Sequence, residues 1–565
     1  MSSLRTSLLV SPLLTSLALA QAGPQPLSDA MAEAIAKEGI QNSGVHAILR
    51  EMTGDIGHRL TGSENFTKAC EWAKGHFEKM GLEVELEEWA EWTTIWSRGE
   101  WIGRIVEPIE LDMYVATDAW TAGTDGLKTA SFVEAPRSST DESVGDTKGK
   151  WVLSRRKPTS RVRKAVEEAG ALGVVYRAND PNQKYPTRVR VFGDSRVARM
   201  PVEQAPKLPE IAVRSDDFDR LWSLFEEGKQ PVAQFDIQNE FRPGPIKLHN
   251  VIATLRGTEK PDEWVVVSSH LDSWHQAQGC TDNGTGSATT MEAARILTSV
   301  GAAPKRSIKF CLWGGEEQGL LGSRGYVVQN RTRMHKVSAV FNHDSGTNWA
   351  HALTIAKSHE PDFGPIVAPI LAAMKPPEAD HEGDVFKLRA VETMKPAGGG
   401  SDHASFAAVG VPAFSWSLKG PVPYGRGWHS QWDTYSIVRP DFQRHNATVF
   451  AVIAAGVASL DHMLSRDGVE RTTPGGFRGR VDAKLILETW LGMELDGVTI
   501  TSVTADGLAG RSKLAAGDKI VAVGDAPVTS ARELLAEFRK QASEQDVVAL
   551  AVERRGDRVE IQVRP

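Results

Sequence analysis

Between Leu248 and Phe341 three apolar runs, Trp264 to Ser268, Ile308 to Trp313 and Val337 to Phe341, each stop at a polar cluster. The clusters are His270 with Asp272, Glu316 with Glu317, and Asp344, and a helical stretch from Ser287 to Val300 separates the first two runs. Strands alternating with helices predict an α/β domain with a mixed, largely parallel central sheet flanked by helices. In such a sheet the binding crevice lies outside the carboxyl ends of the strands, so residues distant in sequence converge there. Asp282 opens an Asp-Asn-Gly-Thr-Gly turn before the helix and is near enough to His270 in sequence to approach the same point.

The rest of the chain has to be arranged around that sheet. At 565 residues it exceeds one compact core, and ~150 residues per domain predicts three or four units. Ala30 to Met80 has helical spacing, broken at Gly54 to Gly62 and ending at Gly81, and Leu82 to Leu86 then alternates as a strand. Trp89, Trp92, Trp96 and Trp101 follow and read as packing, with an aromatic substrate cleft as the alternative. Residues 29–124 thus form the first part of a domain that 244–465 completes. Residues 125–243 read as a β-rich inserted domain, with short runs at Trp151-Val152-Leu153 and Gly173 to Tyr176 and one helix from Val162 to Ala169. A linker over 466–476, ending in Thr473-Pro474-Gly475-Gly476, precedes a small α+β unit over 477–565.

Arg5, the apolar stretch from Leu8 to Ala18 and the small-residue site Ala18-Leu19-Ala20 predict a cleavable signal peptide over 1–20 and a secreted or periplasmic protein. The alternative, an uncleaved anchor, meets a stretch shorter than the ~20 residues of a spanning helix and broken by Pro12. No later segment has the length of a membrane span. A net charge of -7 implies no nucleic-acid partner, and three cysteines, Cys70, Cys280 and Cys311, leave stability to the core rather than to disulfides.

Two histidines and several carboxylates suit zinc, and a carboxylate can bridge two ions. A two-metal centre with ions ~3.5–4 Å apart acidifies a shared water and stabilises the oxyanion formed when that water attacks a carbonyl. The segments His270-Leu271-Asp272, Thr281-Asp282-Asn283-Gly284, Gly315-Glu316-Glu317, Asp344 and Trp428-His429 resemble the co-catalytic di-zinc exopeptidase family, the zinc aminopeptidase and glutamate-carboxypeptidase-like group. The resemblance spans roughly 29–465. It implies two Zn2+ per chain, with Asp282 bridging, His270 and Asp344 completing one site and Glu317 and His429 the other. The resemblance also makes Glu316 the general base; consecutive residues leaving a strand point different ways, so Glu317 can bind metal while Glu316 faces the water. Asp272 is suited to accept the other imidazole N–H of His270 and fix its orientation. His275, His343 and His403 read as solvated or hydrogen-bonded rather than ligating, although Ser401-Asp402-His403 resembles a family motif near the substrate pocket.

The insert, with Glu168-Ala169-Gly170-Ala171-Leu172-Gly173, resembles a protease-associated domain, either a substrate-selecting wall or a packing insert. The last unit resembles a PDZ domain: Leu491-Gly492-Met493 as carboxylate-binding loop, strands at Val498 to Val503 and Lys519 to Val523, and a helix from Ala531 to Lys540. Such a domain takes a peptide as an added strand and holds its terminal carboxylate with backbone N–H groups; the alternative is a packing module with an unused groove. Three further matches are set aside. Gly398-Gly399-Gly400 lacks the Lys-Ser/Thr of a phosphate loop, a glycan on Asn283 would block the site beside Asp282, and Arg555-Gly556-Asp557 reads as a hairpin turn.

The expected activity is hydrolysis of small peptides, of aminopeptidase or dipeptidase type. Two other readings stand beside it: a glutaminyl-cyclase-like acyl transferase, typically with a single zinc, and a non-catalytic binding scaffold. Substrate preference and oligomeric state are not set by these motifs.

Overall fold

The computed structural model describes residues 28–179, 182–378, 383–395, 400–470 and 483–564. The signal segment 1–20, the linker motif Thr473 to Gly476, and Gly398 and Gly399 lie outside the described residues.

The strand Lys260–His270 is central, parallel to Arg306–Trp313 on one side and to Val337–Asn342 on the other. Ala413–Lys419 continues parallel beyond Val337–Asn342. The sheet is mixed at its flanks, because Val232–Leu255 joins antiparallel to Arg306–Trp313 and Trp349–Ala356 antiparallel to Ala413–Lys419. Its apolar runs are continuous rather than alternating because both faces are covered. Val265 and Val267 enter one core with Met291 and Leu297 of helix Thr285–Ser299 and Val449 and Ile453 of helix Pro440–Ala458. Trp264 and Val266 enter the other, with Trp313, Tyr326 and Phe406. The expected helices in the first eighty residues form as Asp29–Gln41, Val45–Arg50 and Glu64–Lys79, the first and last capped by Ser28 and Ser63.

The strand expected at Leu82 to Leu86 extends much further. Glu83–Glu107 pairs antiparallel with Val232–Leu255, from Glu83 opposite Thr254 to Glu107 opposite Val232, across four register shifts. This two-stranded ribbon runs from the main sheet into the insert, where Lys128–Glu134 joins it. The tryptophans of the ribbon pack. Trp92 meets Trp120 edge-on at 5.9 Å, Trp96 meets His275 at 5.0 Å, and Arg98 lies over Trp101 at 4.1 Å.

The insert is α/β rather than simply β-rich. Lys128–Glu134, Trp151–Ser154, Gly173–Arg177 and Glu210–Val213 form a parallel ladder, with helices Ser160–Glu168 and Ser215–Glu226. Val115–Ala116 already pairs with Ala212 and Val213, upstream of the boundary expected at 125.

In the C-terminal unit the sheet runs in the order Met493–Asp496, Thr499–Val503, Lys519–Val523, Val548–Arg554, Asp557–Val563. Helix Ala531–Glu544 completes it. Arg555 and Gly556 both have positive φ, 54° and 92°, as a tight hairpin turn requires. The stretch expected to be the carboxylate-binding loop follows directly on a helix. Leu491 closes helix Ala483–Leu491, and the Gly492 N–H donates to the Glu488 carbonyl at 2.9 Å. The Leu495 N–H, on the edge strand, donates to the Glu488 carboxylate at 2.7 Å. Arg331 of the main domain meets that carboxylate at 3.3 Å, and Lys336 meets Asp506 at 2.7 Å, so the unit is tied to the main domain by charge pairs. Among the described residues no helix is long and apolar enough to cross a membrane, and Cys70, Cys280 and Cys311 are buried free thiols.

Candidate metal centre

The loops at the carboxyl ends of the central strands bring all five expected ligands together. His270 ends its strand fully buried, with Nε2 3.3 Å from Asp282 Oδ1 and 3.5 Å from Asp344 Oδ1. His429 Nε2 lies 3.2 Å from Asp282 Oδ2 and 2.9 Å from Glu317 Oε2. Asp282 therefore presents one oxygen to each histidine. Two groups of donor atoms result, His270 with Glu316 and Asp344, and Asp282 with Glu317 and His429.

Local sequence explains the convergence. After Trp313 the chain turns at Gly314 and Gly315, the latter at φ 70°, a region costly for residues with a Cβ. The Glu316 and Glu317 amides donate to the two carboxylate oxygens of Asp272 at 3.2 and 3.3 Å, and Thr61 Oγ1 donates to the same group at 2.8 Å. His270 Nδ1 instead meets the backbone carbonyl of Asp272 at 3.0 Å, with the carboxylate at 3.5 Å. Asp272 thus orients the histidine chiefly through its main chain, while its side chain holds the paired glutamates. The Asp282 turn is tied down by Asn283, whose Nδ2 donates to the His343 carbonyl at 2.7 Å and whose Oδ1 accepts the Gly286 N–H at 3.1 Å. Asn283 is fully buried, which leaves no room for a glycan.

Electrostatically this is a buried acid cluster. Burial pushes the Glu317 carboxyl up to about 7, with the charge of Asp282 adding to it and His429 opposing it. Burial also drives Glu316 well above the usual carboxylate range; His270 pulls it back, while Asp344, Asp402 and Glu317 raise it. Burial opposes charge on His429, yet Glu317 and Asp282 hold its pKa near 10. His270 Nε2, Asp282 Oδ2 and Glu317 Oε1 are buried and lack a hydrogen bond of good geometry. Converging, deeply buried N and O donors with unmet bonding capacity fit divalent zinc, which takes imidazole and carboxylate ligands.

Four further residues build this centre, and sequence reasoning missed three of them. Arg59 is fully buried and donates to the carbonyls of Leu271 (2.7 Å), Gln278 (2.9 Å) and Gly279 (2.8 Å), joining the His270 and Asp282 loops. Asp433 accepts the Thr281 and Asp282 amides, and burial pushes its carboxyl up to about 7. Tyr424 donates its hydroxyl to Asp344 at 3.4 Å. Asp402 is buried beside Glu316, close enough for its charge to raise that residue's pKa. Only Asp402 carried a signal, through its neighbours Ser401 and His403. None of the three other histidines is solvated: His275, hydrogen-bonded through Nε2 to the Thr117 carbonyl at 3.0 Å, His343 and His403 are all buried. Burial lowers His343 and His403 to about 4, so they stay neutral.

Two parts of the chain match known protein families. Residues 250–454 match the model of peptidase family M28, and residues 455–564 match that of a PDZ domain. Carboxypeptidase Q of Bos taurus is 27% identical over 423 residues, covering 73% of this chain and 84% of that protein. Carboxypeptidase Q of Mus musculus is 28% identical over 431 residues, covering 73% and 85%. Among solved structures, a peptidase M28 precursor from Shewanella amazonensis SB2B superposes with a TM-score of 0.56 at 24% identity, over 77% of this chain and 98% of that one.

Proposed function

We propose, from the premise that this chain belongs to peptidase family M28 as a zinc-dependent exopeptidase with a C-terminal PDZ domain, that it is a secreted enzyme releasing terminal residues from small peptides. His270 and Asp344 would hold one zinc and Glu317 and His429 the other, with Asp282, which turns one oxygen toward each histidine, serving both. Bound there, the metal pair supplies an acidified water and positive charge for the carbonyl oxygen.

The chain's own residues do the rest. Glu316, which lies among the ligand donors, is the general base that takes a proton from the attacking water and passes it to the leaving amine. Asp272 keeps Glu316 facing the cleft by binding its backbone N–H. The Tyr424 hydroxyl, beside Asp344, is a donor within reach of charge developing on the substrate carbonyl. A narrow recess beside Glu317 and His429, lined also by Trp274, Gln276 and Asp433, has room for about one water molecule. Either aminopeptidase or dipeptidase action is compatible with the centre.

The observation that carries this reading is Asp282, with one carboxylate oxygen toward each buried histidine. The test is elemental analysis of the mature protein with hydrolysis of a dipeptide and aminoacyl-anilide panel before and after chelation. Two zinc ions and chelation-sensitive cleavage are expected. One ion without cleavage favours cyclase-like acyl transfer, and neither metal nor turnover favours a scaffold.

A further inference from the structure

His429 is held differently from His270. A metal-binding histidine usually donates its second ring N–H to a carbonyl or carboxylate, which sets the ring's orientation. His270 does so through Nδ1 to the Asp272 carbonyl at 3.0 Å. The Nδ1 of His429 is buried and has no protein hydrogen-bond partner. Its backbone is left-handed, with φ 57°, a conformation few residues other than glycine adopt. No hydrogen bond from Nδ1 to the protein keeps this ring aimed at Asp282 and Glu317.

Aromatic packing surrounds it instead. Trp428 stacks on the His429 ring at 4.0 Å, Trp274 meets it at 5.7 Å, and Phe192 meets it edge-on at 5.1 Å. Trp428 is its chain neighbour and Trp274 comes from the loop after His270, but Phe192 belongs to the insert. The insert segment around Phe192 also pairs with the ligand segment. The Val191 N–H donates to the His429 carbonyl at 2.9 Å, and Arg190 bridges antiparallel to Ser430. The Val189 N–H donates to Gln431 Oε1, and Gln431 Nε2 returns a bond to the Thr187 carbonyl, each at 2.9 Å. Phe192 is anchored in turn, its N–H donating to Asp118 Oδ1 at 3.0 Å and its carbonyl accepting from Ala119 at 2.7 Å.

We infer that the 187–192 segment of the insert is part of the second metal site: Val191 pins the strained His429 backbone, and Phe192 is a positioning residue that aims the imidazole. The insert is then neither a mere wall nor a mere packing module, because one of the two metal sites is incomplete without it. The inference rests on the two-zinc reading of the centre. Loss of an outer partner typically costs 10–100-fold in metal affinity. Phe192→Ala should therefore weaken one zinc-binding step by about that factor and leave the other unchanged.

The experiment is competition for zinc between the metal-stripped full-length protein and a chromophoric chelator, which needs no turnover. Wild type, Phe192→Ala, Phe192→Leu and Phe192→Tyr are compared, with His429→Ala marking complete loss of the second site and circular dichroism confirming folding. Selective weakening of one step in Phe192→Ala and in Phe192→Leu, with restoration in Phe192→Tyr, supports the inference. Two unaltered steps in the alanine and leucine variants overturn it while leaving the two-zinc reading intact; a changed KM at unaltered zinc affinity likewise overturns it and makes Phe192 a substrate wall. A wild-type protein that binds fewer than two ions removes the underlying reading instead.

Discussion

The carboxylate of Asp272 accepts the backbone N–H of Glu316 at 3.2 Å. One buried acid thereby sets where the base points, and its other oxygen does the same for the adjacent ligand Glu317 at 3.3 Å. Asp272→Ala leaves both amides without that acceptor, and kcat is expected to fall by about 10–100-fold. Asp272→Asn keeps one acceptor oxygen and should lie between. Steady-state kinetics on a cleaved dipeptide, with zinc content measured in parallel, checks this.

Glu316→Gln removes the base while keeping its shape. The turnover rate should drop by ~10²–10⁴-fold with both zinc ions retained, whereas Glu317→Ala or His429→Ala should cost a metal ion. Elemental analysis separates the two outcomes; loss of zinc in Glu316→Gln would make that residue a ligand rather than a base.

A Cβ on Gly286 would lie 2.3 Å from both Asn283 Oδ1 and the His343 carbonyl. Gly286→Ala must therefore displace the turn that presents Asp282. Zinc affinity is expected to fall at both sites, since Asp282 serves both, and chelator competition would register two weakened steps.

His445 is buried, with Nε2 hydrogen-bonded to the Ala350 carbonyl at 2.9 Å, and burial lowers its pKa to about 4. The folded pKa lies below the ordinary value of 6.5, so the unfolded chain takes up the proton first as pH falls. Its contribution is present above pH ~6.5 and is lost progressively down to pH ~4, amounting to about 3 kcal/mol at the acid end. In His445→Gln, denaturant unfolding should show a shallower loss of stability across that window. An unchanged slope would count against it.

Glu488 caps the open edge of the PDZ sheet through the Leu495 N–H, and Arg331 faces it from the peptidase domain. Glu488→Ala should speed hydrogen exchange in the 493–496 strand and, through the lost contact with Arg331, in the 331–336 segment of the peptidase domain. Exchange unchanged at that strand would show that the cap is dispensable.

The strands of the central sheet were legible because both their faces are buried. Trp264 to Val267 is an uninterrupted apolar run and Ile308 to Trp313 is broken only by Lys309, and the ligand loops follow their strands. The ribbon was not legible beyond Leu86. Its residues from Glu87 to Glu107 mix charge and tryptophan because the faces of the ribbon change environment along its length, with buried positions at Trp92, Thr94, Trp96 and Ile105 among exposed ones. The contacts of Glu488 were hidden for a related reason: its partners, the Leu495 N–H and Arg331, lie outside its own helix, and Arg331 is more than 150 residues away.

What the sequence by itself determined is the chemical inventory and its order: which histidines and carboxylates follow which strands, because strand ends and turn glycines are local properties of the chain. What only the tertiary structure decided is how those donors are aimed. Arg59 joining two loops, Asp433 bound to the Asp282 amide and Phe192 against His429 are contacts between distant segments. No local pattern marks them, since an arginine or an aspartate acquires such a role only when packing excludes water, and a phenylalanine only when distant segments of the chain meet.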